Sequence, residues 1–139
     1  GGADTYDGGD GVDYVSYYDS SGGVNLDFHA NTASGSWANN DTVLNFEGGS
    51  GSGTGADTIK GTDDANTIRT YGGDDLVKGR GGDDSIDGGS GADSLYGESG
   101  ADTLKGGSGA DVLFDFGLDG TVLVENATIA QLGNDLAIV

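Results

Sequence analysis

Aliphatic residues recur every nine positions along the middle of the chain, at Ile59, Ile68, Val77, Ile86, Leu95, Leu104 and Leu113. Most sit in a polar–aliphatic–polar triplet such as Thr58-Ile59-Lys60 or Ser85-Ile86-Asp87. A triplet of this kind predicts a very short strand that turns one side chain inward. The six residues between triplets read as a loop, so two nine-residue units make one turn of a coil and positions eighteen apart stack. Outside this array, alternation in Gly23 to Phe28 and in Asp41 to Phe46 predicts two more strands. Between them Asn31 to Asn40 reads as a small-residue loop carrying Trp37. The whole of 17–51 is expected to form longer coils, or an insert, in the same stack. Beyond Phe114 the chain is denser in apolar residues. Thr121 to Glu125 predicts a strand, Thr128 to Leu132 a short strand or a turn of helix, and Leu136 to Val139 a last strand after the Gly133-Asn134 turn. This tail is expected to cap the stack, as terminal repeats must.

The polar positions are as regular as the apolar ones. Seven nonapeptides fill Ser52 to Phe114 without a slip: SGTGADTIK, GTDDANTIR, TYGGDDLVK, GRGGDDSID, GGSGADSLY, GESGADTLK and GGSGADVLF. The fourth place holds Gly55, Asp64, Gly73, Gly82, Gly91, Gly100 and Gly109; the sixth holds Asp57, Asn66, Asp75, Asp84, Asp93, Asp102 and Asp111. Glycines at places one, two and four permit positive φ and close backbone approach. Aspartate at place six supplies a hard anionic oxygen beside exposed carbonyls. Such ligands in a flexible loop suit Ca²⁺ better than Mg²⁺, which demands tighter octahedral geometry. With no cysteine and a single histidine, little is left for zinc or copper.

This array resembles the haemolysin-type calcium-binding nonapeptide, GGxGxDxUx, of RTX proteins. One copy would mean little, whereas seven in phase are specific. The resemblance implies an all-β, right-handed parallel β-roll with each Ca²⁺ held between two successive loops on one side. It makes the sixth-place side chains and loop carbonyls the ligands. Carried onto this chain, Asp57, Asp75, Asp93 and Asp111 line one side, and Asn66, Asp84 and Asp102 the other. The fourth-place glycines Gly55, Gly73, Gly82, Gly91, Gly100 and Gly109 complete the metal loops. Inter-loop sites are then expected at 57/75, 75/93, 93/111, 66/84 and 84/102. Asp64 and Asn66 depart from the pattern, so the 66/84 site is expected to be weaker or differently built. GGDGVDYVS (Gly8 to Ser16) is a further copy with Asp13 at place six. Asp4 and Tyr6 fill places six and eight of a clipped one, as if the chain opened in mid-repeat. Asp13 and Asp4 therefore join the expected ligands, and Asp41, which stands before Thr42-Val43, is a further candidate.

Charge sharpens the picture. The formal net charge is −19, with five Lys and Arg against 24 Asp and Glu. That balance argues against nucleic acid and anionic membrane surfaces as partners. High net charge with modest hydrophobicity also predicts a disordered chain without metal. Stacked strands lie roughly 4.8 Å apart, and carboxylates repeated near that spacing repel by about 1 to 3 kcal/mol per pair. The metal is expected to decide folding. No disulfide framework is available, and no apolar run is long enough to span a bilayer. The length suits one domain, read as repeats (1–16), longer coils or insert (17–51), seven nonapeptides (52–114) and a cap (115–139).

Other residues carry weaker signals. Place nine stacks Lys60, Lys78, Tyr96 and Phe114 on one sheet and Arg69, Asp87 and Lys105 on the other. The first stripe offers a grip for an acidic polysaccharide; offsetting the acidic files is the favoured reading. His29 has no nucleophile or orienting partner in view and is expected to be exposed or packed in a loop. Trp37 and the tyrosines are expected to cap a thin core rather than stack on sugars.

The expected function is a calcium-binding module of a secreted bacterial protein that folds on meeting extracellular calcium, without catalysis of its own. The alternatives are a structural unit of an extracellular filament, S-layer or adhesin joined end to end with other copies, and the polysaccharide-binding tail of an enzyme. No secretory leader is visible in the sequence. The closing Asp135-Leu136-Ala137-Ile138-Val139 resembles the C-terminus of serralysin-type proteases read by type I secretion, with an ordinary edge strand as the alternative.

Overall fold

The computed structural model describes residues 2–116, 121–123 and 128–132. Its first six strands are β1 (Thr5–Asp7), β2 (Tyr14–Ser16), β3 (Val24–Asp27), β4 (Thr32–Gly35), β5 (Asp41–Leu44) and β6 (Gly48–Ser50). The repeats then supply β7 (Thr58–Lys60), β8 (Thr67–Arg69), β9 (Leu76–Gly81), β10 (Ser85–Ser90), β11 (Ser94–Ser99), β12 (Thr103–Ser108) and β13 (Val112–Asp115). β14 (Thr121–Leu123) and β15 (Thr128–Leu132) follow. Successive repeat strands alternate between two sheets, one ordered β1-β5-β4-β3-β7-β9-β11-β13-β15 and the other β14-β12-β10-β8-β6-β2. The molecule is an all-β solenoid whose repeat strands pair in parallel.

Register follows the eighteen-residue period. Ile59, Val77, Leu95 and Leu113 are paired in file on one sheet, and Ile68, Ile86 and Leu104 on the other. All seven are at most 1% exposed and belong to one core cluster. Each coil offers the interior one aliphatic side chain per sheet, so the core is long and thin. β9 to β12 run for six residues rather than the expected three, because the glycine-rich start of each loop continues the pairing, as in Gly89 with Gly107.

The segment before the array departs from longer coils. β3 pairs antiparallel with β4, and β4 antiparallel with β5, before β5 pairs in parallel with β1. β4 lies inside the stretch read as a loop. Its small residues hid a strand whose inward side chain is Ala33, 1% exposed and paired with Leu26. Left-handed Asn31 (φ 59°) lies in the turn from β3 to β4, and Asn39 (φ 35°) and Asn40 (φ 64°) in the turn from β4 to β5. These tight reversals replace the Gly-Asp loops that would otherwise carry the chain to the opposite sheet. The excursion also fills a gap. Gly49 stands in the aliphatic file between Val15 and Ile68, and the buried ring of Phe28 lies where its side chain would point.

Beyond Asp115, β14 and β15 extend the two sheets in parallel, which settles Thr128 to Leu132 as a strand. The expected last strand at Leu136 to Val139, and the C-terminal secretion resemblance, lie outside the described residues.

Candidate metal centre

Every sixth-place side chain of the array turns inward just before its strand and is at most 3% exposed. The polar residues form two files, Asp57-Asp75-Asp93-Asp111 and Asn66-Asp84-Asp102. Each carboxylate is fixed by the preceding coil. Asp57 donates its backbone N–H to Asp75 Oδ1 at 2.8 Å, Asp75 to Asp93 Oδ1 at 3.0 Å, and Asp93 to Asp111 Oδ1 at 3.0 Å. On the other side Asn66 donates to Asp84 Oδ1 at 2.7 Å and Asp84 to Asp102 Oδ1 at 2.9 Å. One oxygen is thereby used on every rung.

The second oxygen is not. Oδ2 of Asp75, Asp84, Asp93, Asp102 and Asp111 is buried without a hydrogen-bond partner among the described residues. Gly79, Gly88, Gly97 and Gly106, at place one, lie against these oxygens of the last four acids, where a β-carbon would overlap them. A buried, unpaired anionic oxygen is costly. A file of them calls for a cation or for protons. Among the described residues no three Asp, Glu or His side chains converge on one point. A cation here would draw on carboxylates in file and on loop carbonyls, a donor set of hard oxygens that fits Ca²⁺ with its six to eight oxygen ligands.

The fourth-place glycines stack as tightly. A β-carbon on Gly73, Gly91, Gly100 or Gly109 would meet the carbonyl of the fourth-place residue one coil earlier: Gly55, Gly73, Gly82 and Gly91 respectively. Gly55 itself abuts the backbone of Gly23, and Gly82 abuts Asp64 and Ala65. Asp64, at place four of its own repeat, remains exposed.

Two rungs satisfy themselves. Asp57 accepts the N–H of Val24 (2.8 Å) and of Ser52 (2.8 Å), and also the Ser52 hydroxyl. Serine at place one supplies the donor that glycine lacks. Asn66 replaces charge with an amide: its Oδ1 accepts from Thr62 N–H, and its Nδ2 donates to the carbonyl of Glu47 on the neighbouring coil at 3.1 Å. Both lie where the array meets the antiparallel excursion, and there hydrogen bonds tie the coils together.

Outside the array, Asp13 has the same signature as the repeat acids. Its N–H donates to Glu47 Oε2 at 2.9 Å, and its own Oδ2 is buried without a partner among the described residues. Glu47 is thus the next rung above Asp13, a position the sequence reading missed. Asp41, buried, accepts from Asp4 N–H (2.9 Å) and Tyr17 hydroxyl (3.0 Å), so both of its oxygens are engaged. Asp4 joins this pairing through its backbone, with its side chain exposed at the sheet edge. His29 is exposed in the turn after β3.

Burial pushes the carboxyls of Asp57, Asp75, Asp84, Asp93 and Asp102 above their ordinary range, against the pull of the backbone N–H that each accepts. Asp84 rises to about 7, with Asp102 and Asp83 adding repulsion. Asp57 and Asp93 rise to about 6. Burial likewise raises Asp75 and Asp102. The folded chain therefore holds protons that the unfolded chain would release, and protonation favours the roll. This contribution is complete below about pH 4, the unfolded carboxyl range, and is lost as pH rises through about 6 for Asp57 and Asp93 and about 7 for Asp84. Protons should thus partly replace metal. Chelated protein taken from pH 7.5 to 4 is expected to gain β circular dichroism, and an unchanged coil spectrum throughout would contradict this.

The place-nine files form as expected, with Lys78 5.8 Å from the Tyr96 ring centroid and Tyr96 5.9 Å from Phe114. Their cations are engaged within the protein. Lys60 pairs with Asp27 at 3.2 Å, while Arg69 and Lys105 share Asp87 at 3.7 and 3.5 Å. These exposed pairs contribute little stability, yet they turn the stripe towards offsetting acidic neighbours.

Residues 51–86 and 78–113 match the family model of the RTX calcium-binding nonapeptide repeat (4 copies). A comparison with curated proteins finds no match.

Proposed function

The chain carries the RTX calcium-binding nonapeptide repeat, which binds Ca²⁺ between turns, and on that premise we propose that it is a calcium-driven folding module of a secreted protein. The observation that carries this reading is the file of buried Oδ2 atoms at Asp75, Asp84, Asp93, Asp102 and Asp111, which have no hydrogen-bond partner among the described residues. These five side chains, with loop carbonyls around the fourth-place glycines, hold the ions, and Asp13 holds one nearer the N-terminus. Asp57 and Asn66 close the two files with hydrogen bonds, so the 57/75 and 66/84 positions bind more weakly. Asp4 is peripheral.

When bound, Ca²⁺ supplies the positive charge that offsets the acidic files. The chain's own part is to align the carboxylates through the N–H bonds between coils and to exclude water from their second oxygens. Binding to the folded state alone drives folding by mass action. Extracellular calcium modules generally bind at about 10⁻⁴ to 10⁻³ M, so the chain stays open in the cytosol and closes outside. The module has no catalytic role of its own. Light scattering during a calcium titration tests the reading: a falling radius at constant monomer mass supports a solitary module. Growth to high mass with calcium would instead make it a structural building block.

A further inference from the structure

We propose that the cleft bounded by Asp4, Tyr6, Ser36, Trp37 and Asn39 binds a neutral pyranose unit of a glycan. The cleft lies between the edge strand β1 and the turn from β4 to β5, and encloses about 400 Å³. That size lies within the range of small-ligand sites, about 300 to 1,000 Å³. Its character comes from two aromatic side chains held in solvent, Trp37 at 56% exposure and Tyr6 at 43%.

The exposure of Trp37 is imposed by its turn. Ala38, the next residue, is fully buried, and its carbonyl accepts the Asp41 N–H at 2.6 Å. Asp41 is itself fixed by the Tyr17 hydroxyl. Asn39 bends into the left-handed region and returns Nδ2 to the Trp37 carbonyl at 3.1 Å. With Ala38 turned inward and the backbone tied on both sides, the indole faces out. The expectation that Trp37 caps the core therefore fails, since its side chain stays 56% exposed.

A pyranose offers what this surface lacks. Its C–H face packs on an aromatic ring, while its hydroxyls meet the polar tips of amphipathic side chains. Around the aromatic pair stand a carboxylate (Asp4), a hydroxyl (Ser36) and an amide (Asn39), which together donate and accept. Asp4 in the cleft and the net charge of −19 disfavour uronates and sulfated sugars. Its lining shares no residue with the place-nine stripe or with the Asp57-to-Asp111 and Asn66-to-Asp102 files.

Trp37 is the only tryptophan in the chain, so fluorescence excited selectively in tryptophan, and not in the six tyrosines, reports on this site. The calcium-loaded full chain is titrated with cellohexaose, mannohexaose and hexagalacturonate, with calorimetry in parallel. A saturable fluorescence change with at least one neutral oligosaccharide and none with hexagalacturonate is expected. Trp37→Ala should weaken calorimetric binding by at least about tenfold, and Tyr6→Ser by less. The calcium-induced circular dichroism of both variants should match the parent. No binding of either neutral sugar, a preference for hexagalacturonate, or parent-like affinity in both variants would overturn the proposal. Failure of the calcium reading appears separately, as a missing dichroism gain before any sugar is added.

Discussion

Replacing Asp93 with alanine is expected to raise the calcium concentration at half-folding by at least about tenfold, a loss of about 1.4 kcal/mol or more. Asp93 is the middle rung of its file. Its Oδ1 accepts the Asp75 N–H, its own N–H donates to Asp111 Oδ1, and its Oδ2 is among the unpartnered oxygens. Truncation orphans one N–H and removes charge from the gaps on either side, so two neighbouring ions lose a ligand. Asp93→Asn separates these contributions, since it keeps an acceptor for Asp75 but no charge. Asn66 already shows an amide accommodated at this place. The asparagine variant should therefore fold at a calcium midpoint between those of the parent and the alanine variant. Asp4→Asn, at the exposed edge, should leave the midpoint nearly unchanged. A parent-like midpoint for Asp93→Ala in a dichroism-monitored titration would remove Asp93 from the ladder.

Gly91→Ala is expected to destabilise the calcium-loaded roll by at least about 2 kcal/mol. Gly91 has φ 131°, a conformation essentially reserved for glycine, and a β-carbon would sit on the carbonyl oxygen of Gly73. Backbone strain of this kind costs of order 1 to 3 kcal/mol, and the overlap adds to it, because the obstacle is backbone and the coils cannot separate without loosening the Asp75–Asp93 rung. The damage should appear both as a lower melting temperature in saturating calcium and as a higher calcium midpoint. Ala92→Gly, at the adjacent exposed position, controls for the region and should cost no more than about 1 kcal/mol. Equal melting temperatures for the Gly91 variant and the parent would mean that the stacked turns are looser than described.

The array was legible because each nonapeptide specifies its own loop and strand. A period of nine residues, alternating between two sheets, sends Ile59 onto Val77 and Ile68 onto Ile86 with no further information. Of the two departures from the repeat, Asn66 forms a hydrogen-bonded staple, whereas Asp64 stays exposed. The N-terminal part was harder to read. Glu47 stacks on Asp13 across 34 residues instead of eighteen, because an antiparallel excursion intervenes and no local spacing records its length. Phe28 fills the file at Gly49 from another coil, a relation that exists only after folding. The strand of small residues Thr32–Gly35 lacks the alternating large side chains that reveal strands, yet pairing and the burial of Ala33 suffice to form it. Ser52 at place one carries a signal readable in the sequence: a hydroxyl where glycine is usual places a donor beside Asp57.

At neutral pH calcium, and not the thin aliphatic interior, is expected to hold the coils together. The deciding measurement is far-UV circular dichroism of the whole chain at pH 7.5 and low salt, first in excess EGTA and then with calcium or magnesium added. A coil spectrum in EGTA that converts cooperatively to β with calcium, and not with magnesium, is the predicted result. A fully formed β spectrum in EGTA would contradict it.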